Sequence, residues 1–397
     1  MAELDGSPPA PATLVGSPRT SKPLTGRVDA VDLARGIALI GMMLVHLGPY
    51  WVERNPPVGH IVAGSRAAPL FAMLAGVALS LVHDRDPRGA GSTRATLIRA
   101  VLLIALGLGL GSLHDMPVFV ILAFYGLLIV VALPFRRLST RALLILAGIW
   151  AVAAPVLLLW ARVGHDPVDA FQAEWSDLKH PLDLLMELLV WGTYPALVWF
   201  AYVLVGLAIG RLDLRRTTVA WRLVADGAAL LALALITGWV LIRTGRLADP
   251  NDLGWRQLFE ERLWPFYPAH WNDLLLVGSH TSTPFNVISA IGSAVLVVGV
   301  CALLLRLPWA RILLTPVRAA GAMTLTLYTI HVLWAWRMRV DYMRDHDGGW
   351  SDGSIRDWLL QVVVLCLAAA LWQRFIGKGP LEWLMRRLSV WGRRARA

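Results

Sequence analysis

Of the ten histidines in this sequence, only His46 and His331 sit deep inside long apolar runs. An ionisable side chain in a hydrocarbon layer is costly and normally faces a cavity or a partner. Read as helices entered from the same side, His46 lies roughly 15 residues, or ~22 Å, from the start of its span, and His331 roughly 12 residues, or ~18 Å, from the start of its own. The two imidazoles are therefore expected at similar depth. Arg66 enters the next span from the opposite side at a comparable level, with His114, Asp115, Glu187, Tyr194 and His280 nearby at the boundary. Imidazole, guanidinium and carboxylate together can take a proton from a nucleophile and hold a developing oxyanion. Two plainer readings stay open: two unrelated histidines, each bonded within a bundle, and an Arg66 that snorkels to the headgroups.

A second polar set belongs to the other end of the same helices. Asp32 and Arg35 open the first apolar span, Arg99 sits one turn into the third, and Arg222 and Asp226 have the i,i+4 spacing of a helical pair. Guanidinium groups bind phosphates bidentately, so Arg35 and Arg99 fit a phosphorylated cofactor. Anchoring at the membrane surface is the plainer alternative for each arginine.

These residues need long apolar elements to carry them, and the composition supplies them. The chain has 397 residues, 57% apolar and only 16% charged, with a net charge of +10. Soluble domains hold about 45–50% apolar and about 25% charged residues, so a soluble multi-domain enzyme is excluded. A nucleic-acid binder is excluded too, because the basic residues fall between apolar runs and form no stripe. Ten runs are long enough to span a bilayer: 31–51, 62–82, 95–113, 116–135, 141–161, 194–211, 218–243, 284–306, 319–337 and 356–376. The segment 182–192 is too short to span and reads as an interfacial or re-entrant helix. The expected fold is an all-α polytopic membrane helix bundle of about ten transmembrane helices. Residues 1–30, rich in Pro, Ser, Ala and Gly, read as a disordered cytoplasmic tail, 31–376 as the membrane domain, and 377–397 as a basic cytoplasmic tail.

Arginine and lysine set the expected orientation. With the N-terminus inside, 22 of the 37 basic residues fall in inner segments and 11 in outer loops. That bias recurs in every inner connector and places both termini in the cytoplasm of a multi-pass plasma-membrane protein. Trp51, Trp160, Trp175, Trp264, Trp271, Trp350 and Trp358 fall at outer boundaries or in outer loops, where amphipathic rings favour the headgroup layer. Cys301 and Cys366 lie within apolar runs and read as packing residues. No His or Cys spacing suggests a metal site.

Several stretches resemble membrane acyltransferases. Asp32-x-x-Arg35-Gly, followed eleven residues after the arginine by His46, resembles the first helix of the large acyltransferase-three family. The run from Gly192 through Tyr194-Pro195 and Gly206 to Gly210-Arg211-Leu-Asp213 resembles bacterial relatives of heparan-α-glucosaminide N-acetyltransferase. Gly321-Ala-Met-Thr324-Leu-Thr326-Leu-Tyr328-Thr-Ile-His331 is similar to a helix shared by these families, and Gly379-Pro380-Leu-Glu382 resembles the end of YeiB-like bacterial membrane proteins. The resemblance implies a helix bundle that moves an acyl group, acetyl in the first instance, from cytosolic acyl-CoA to an extracytoplasmic acceptor.

Under that reading His46 is the general base, since an imidazole with a pKa of about 6.5 suits proton transfer at neutral pH. His331 or Arg66 orients substrate or stabilises the oxyanion, while Asp32, Arg35 and Arg99 form the cofactor end. In the lysosomal acetyltransferase the base lies in the first luminal loop, where this chain has His60, and the helix position of His46 is an Asn. The base is therefore His46 by one pattern and His60 by the other. The expected partners are the bilayer, acyl-CoA and a glycan or envelope acceptor bearing a hydroxyl or amine, with no nucleic acid. A homo-oligomer is left open. The rival reading is a transporter or flippase using the same intramembrane polar pocket.

Overall fold

The computed structural model describes residues 25–49, 57–85, 90–163, 172–246, 254–259, 271–345 and 353–394. Its regular elements are all helical. The chain runs through α1 (Thr25–Leu47), the short α2 (Val58–Ala63), α3 (Ala67–Arg85), α4 (Ala90–Gly111), α5 (Leu122–Ala132) and α6 (Thr140–Arg162). Next come α7 (Pro181–Met186), α8 (Ala196–Ile209) and α9 (Thr217–Arg243). The second half holds α10 (Pro284–Leu304), α11 (Pro308–Leu313), α12 (Thr315–Ala322), α13 (Thr324–Asp345), α14 (Ile355–Phe375) and α15 (Pro380–Arg394).

Seven segments are long and apolar enough to cross a membrane: Asp29–Leu47, Val58–Val82, Thr93–Gly111, Thr140–Arg162, Thr217–Arg243, Pro284–Leu304 and Ile355–Phe375. They coincide with seven of the ten expected spans. An eighth is added if Pro181–Trp191 and Ala196–Ile209, bent by 65° at their junction, count as one span. The short helix expected at 182–192 is α7 with the helical turn Glu187–Trp191 that follows it, on the near side of this bend. The expected fourth span is the shorter apolar helix Leu122–Ala132. The expected ninth is divided between α12 and α13 at Met323, and α13 carries Arg337, Arg339 and Asp341 toward its end. Most of the expected N-terminal tail lies outside the described residues, and its last six form the start of α1. Most of the expected C-terminal tail is helix α15.

α8 lies at the centre of the bundle. All of its residues but Leu197 are buried, as expected for a helix that is apolar all round. It packs against α3 and α6. The break before it is stabilised by Arg162, a buried residue at the end of α6. Its guanidinium donates to the carbonyls of Val190 and Gly192. Those carbonyls belong to the π-helical turn Glu187–Trp191 and its cap, where the regular helix bonds stop. α9, by contrast, rests chiefly on α10 and leaves most of its surface exposed.

α1, which carries His46, and α12, which leads into the His331 helix α13, are held by a close backbone crossing. A Cβ built on Gly321 of α12 would overlap the carbonyl of Asp32 on α1, and one on Gly36 would overlap the carbonyl of Val317. Small residues let helices approach to backbone contact. Asp29 reinforces the crossing, lying 3.7 Å from both Arg311 and Arg318. α14 is also pinned to α1: the Ser354 amide donates to the Leu47 carbonyl at 2.7 Å, and the Trp358 indole donates to the Ile40 carbonyl at 3.2 Å. Gly321→Ala is therefore expected to cost about 1–3 kcal/mol through forced separation of α1 and α12. Gly148→Ala, whose new methyl meets nothing within 4 Å, is expected to stabilise by about 0.5–1 kcal/mol through helix propensity. Thermal unfolding of the two detergent-solubilised variants checks both signs.

Candidate active site

His46 and His331 are 285 positions apart and hydrogen-bonded, His46 Nδ1 to His331 Nε2, at 2.8 Å. Their ring planes differ by only 5° and their centroids are 5.1 Å apart. That separation is the N···N distance plus the two ring radii. The rings thus lie end to end in one plane, not face to face, and the hydrogen bond is close to linear. On its other side His331 Nδ1 lies 2.7 Å from Oε1 of Gln361 on α14. His331 and Gln361 are completely buried. Three helices, α1, α13 and α14, therefore each contribute one member to a polar chain within an apolar bundle.

His46 opens this chain onto a cavity of about 230 Å³. The wall is mostly apolar, with Met42, Val45, Val118, Phe119 and Ile121, and its polar members are His46, Ser65, Tyr194, His280 and Tyr328. Ser65 and His280 both have left-handed backbones, with φ of 52° and 61°. For non-glycine residues that conformation costs of order 1–2 kcal/mol and persists only where the surroundings enforce it. Here each braces the other. The His280 amide donates to Ser65 Oγ at 3.1 Å, and the Asn286 side-chain amide donates to the same oxygen at 3.3 Å. Strain of this kind concentrates at binding and catalytic sites.

A second cavity, of about 380 Å³, lies toward the other end of α1. Arg35, Arg99 and Arg386 line it, together with Glu382 and apolar residues of α3, α4 and α5. It continues into an open pocket shared by Arg99, Glu382 and Arg386, to which Lys378 also contributes. The position of α15 depends on Glu382. Its carboxylate accepts the Leu325 and Thr326 amides at 2.8 and 3.1 Å and the Thr326 hydroxyl at 2.6 Å. This satisfies the first amides of α13 and places negative charge at a helix N-terminus, where the dipole favours it. Arg99 Nε donates to Ser389 Oγ at 3.3 Å, tying α15 to α4 as well.

The two cavities are about one helical turn apart. On α3, Ala68 faces the histidine cavity and Phe71 the basic one; Ile121, the N-cap of α5, and Tyr125 within it divide in the same way; on α13, Tyr328 and Leu325 do so. Three or four residues of helix rise ~5 Å. Phe71 and Tyr125 fill this interval, with ring centroids 6.5 Å apart. The Tyr125 hydroxyl donates to the Ala68 carbonyl at 2.7 Å and so bonds across the partition.

Of the residues singled out from sequence, the structure joins His46 to His331 and brings Arg35 and Arg99 to one cavity. Asp32 pairs with Arg35 at 3.1 Å and is not part of the cavity wall. Arg66 donates to the carbonyls of Ile61 at 2.5 Å and Gly64 at 3.4 Å, and lies 5.5 Å from the centre of the Phe259 ring. It does not line the histidine cavity, and neither does His60, which is buried on α2. His114 and Asp115 pair with each other at 3.2 Å. Asp226 lines a separate, largely apolar cavity between α6 and α10. Trp160, Trp175 and Trp271 are exposed, while Trp51, Trp264 and Trp350 lie outside the described residues. Sequence reasoning missed Gln361, Ser65, Tyr125 and Arg386. Gln361 had a signal: it is the one uncharged polar side chain between Asp357 and Gln373 in an otherwise apolar helix.

Comparison with known families divides the chain near the middle. The model of a family described as heparan-alpha-glucosaminide N-acetyltransferase, catalytic, matches residues 27–243. That of a protein of unknown function (DUF418) matches residues 262–392. No curated protein matches the chain. His46 and Arg35 fall within the first match, His331, Gln361 and Arg386 within the second, so both cavities draw on both. The first match covers more than half of the sequence, and the chain belongs to the heparan-alpha-glucosaminide N-acetyltransferase catalytic-domain family.

Proposed function

We propose that the protein is a membrane acyltransferase that carries an acyl group, acetyl in the first instance, from acyl-CoA to a hydroxyl or amine of an extracytoplasmic glycan or envelope acceptor. The observation that carries this reading is the His46–His331–Gln361 chain, which reaches one cavity a helical turn from another lined by arginines. The basic end, with Arg35, Arg99, Arg386 and Lys378, faces the cytosol of a plasma-membrane protein and holds the phosphates. Arginine suits that task because its planar fork matches phosphate oxygens. Acyl-CoA supplies a thioester whose arm has to part Phe71 and Tyr125, and so break the Tyr125 bond to Ala68, to reach His46.

His46 takes the proton from the acceptor as its oxygen or nitrogen bonds to the acyl carbon. The carbon–sulfur bond then breaks, and the thiolate leaves with the proton returned through the imidazole. The products are the acylated acceptor and the free thiol. Tyr328, whose side chain carries a hydroxyl and which lines the histidine cavity, is the donor assigned to hold the oxyanion. His60, buried on the adjacent α2, is the alternative base. The bent α7–α8 pair supports a second reading, transport, because broken helices form substrate sites in carriers.

Four outcomes test this assignment. Purified protein is expected to bind acyl-CoA with an affinity that falls as salt rises. Arg35→Ala with Arg99→Ala should weaken that binding by about 10- to 150-fold for each guanidinium, from the 1.5–3 kcal/mol typical of a charged hydrogen bond. Isothermal titration reads both; absent binding would overturn the enzyme reading, and accumulation of solute in vesicles without acyl-CoA would favour transport. His46→Ala is expected to reduce acyl transfer by about 10²–10⁴-fold with acyl-CoA binding intact, whereas loss in His60→Ala alone would move the base there. Finally, Glu382→Ala should cost about 1–3 kcal/mol at the α13 terminus. It should expose 380–394 to protease and weaken acyl-CoA binding together, as limited proteolysis and titration would show.

A further inference from the structure

We infer that Gln361 is a positioning residue that fixes the proton arrangement of the histidine pair, so that Nε2 is the unprotonated nitrogen of His46, a residue that lines the cavity. The inference rests on the proposed role of His46 as base, but its geometry stands independently. A neutral imidazole carries one N–H and one lone pair, so in a chain of two imidazoles the first proton dictates the rest. Gln361 offers its carbonyl oxygen to His331 Nδ1 at 2.7 Å. A carbonyl oxygen can only accept, so the proton of neutral His331 resides on Nδ1. His331 Nε2 then holds a lone pair and accepts from His46 Nδ1, 2.8 Å away. The remaining nitrogen of His46, Nε2, is the one without a proton.

The consequence is directional. With the amide turned over, its NH2 group would donate to His331 Nδ1, every proton in the chain would move to the other nitrogen, and His46 Nε2 would carry hydrogen. A His46 in that state cannot take a proton from an acceptor. With the carbonyl facing His331, protonation of His46 at Nε2 leaves its Nδ1–H aimed at the His331 lone pair, where the bond becomes charge-assisted and stronger. Gln361 is completely buried, and one turn before it Trp358 ties α14 to the carbonyl of Ile40 on α1, which sets the position of the helix that carries it. The bond to His331 is what orients its amide, since the NH2 has no hydrogen-bond partner of its own among the described residues. A hydrogen bond to the far nitrogen of an imidazole is a general means of setting its tautomer.

Two measurements test the inference. In protein labelled with 15N-histidine and reconstituted in bilayers, solid-state NMR distinguishes the protonated nitrogen of each ring, and His46→Ala and His331→Ala spectra assign the signals. The expected result is a protonated Nδ1 and bare Nε2 on both residues; protons on Nε2 of both overturn the inference whether or not the protein transfers acyl groups. The second measurement compares Gln361→Leu with Gln361→Glu in an acyl-transfer assay. Leucine fills the space and accepts no hydrogen bond, so kcat is expected to fall by about 100-fold or more, with KM for acyl-CoA within about twofold of the parent's, since Gln361 lies outside the basic cavity. Glutamate preserves an acceptor and should retain activity within about tenfold of the parent's, because triad carboxylates do the same work. Merely structural packing predicts the opposite order, as a buried carboxylate disrupts an apolar helix more than leucine does. Gln361→Leu matching or exceeding Gln361→Glu would sink the positioning role. A wild-type protein with the expected tautomers and no transfer would sink the acyltransferase reading instead.

Discussion

The hydrogen bond between His46 and His331 is the contact on which this architecture turns. It joins the first helix of the chain to a helix near its end, across the boundary between the two family matches. In a hydrocarbon environment a polar group has no water to fall back on and must be satisfied by protein. Once one imidazole is buried, a second polar group must accompany it, and a third must serve the second. Gln361 ends the series, at the cost of a side-chain NH2 that is buried without a hydrogen-bond partner among the described residues. The backbone crossing of α1 with α12, which leads into α13, and the tie from Trp358 to α1 set the spacing that a bond of this length requires.

The division into two cavities follows from the direction of α1. Its first turns carry Asp32 and Arg35, its last turns Met42, Val45 and His46, and the helix links the basic cavity to the histidine cavity as a single rigid rod. The two ends differ in kind. The basic end is built from long flexible side chains and is completed by α15, an amphipathic helix seated through Glu382. The histidine end is built from short side chains, fixed rings and two strained residues that hold each other in place. Flexible cations suit a bulky charged headgroup, and rigid donors suit a reacting carbonyl.

Much of this was legible in the sequence, for identifiable reasons. A histidine inside an apolar run is conspicuous, and the helix rise converts position into depth, so the convergence of His46 and His331 could be derived before any coordinates. Arg35 and Arg99 were found by the same reasoning at the other end. Arg66 shows where the method stops: depth alone does not say which way a side chain turns, and this one turns to the carbonyls of Ile61 and Gly64. Gln361 was overlooked because an uncharged amide disturbs hydropathy little, although it is the one such residue in its stretch. The segment after 377 reads as a basic tail by charge, but its alternation of Trp383, Leu384, Arg386 and Arg387 has the period of a helix lying against a surface. The division of the ninth run at Met323 depends on packing of Gly321 against α1, which no local pattern reveals.

The partition formed by Phe71 and Tyr125 has an electrical consequence. Were the two cavities joined and filled with water, they would make a continuous conductive path through the molecule, and protons and ions would drain down it. Moving one elementary charge through 100 mV is worth about 2.3 kcal/mol, and that voltage falls mostly across the least conductive stretch of a pathway. The interval here is one helical turn, closed by two aromatic rings and a single bond from a tyrosine hydroxyl to the Ala68 carbonyl. A thin aromatic plug of this kind acts as insulation. Under the proposed function it would let the site approach both faces of a membrane without becoming a leak in it.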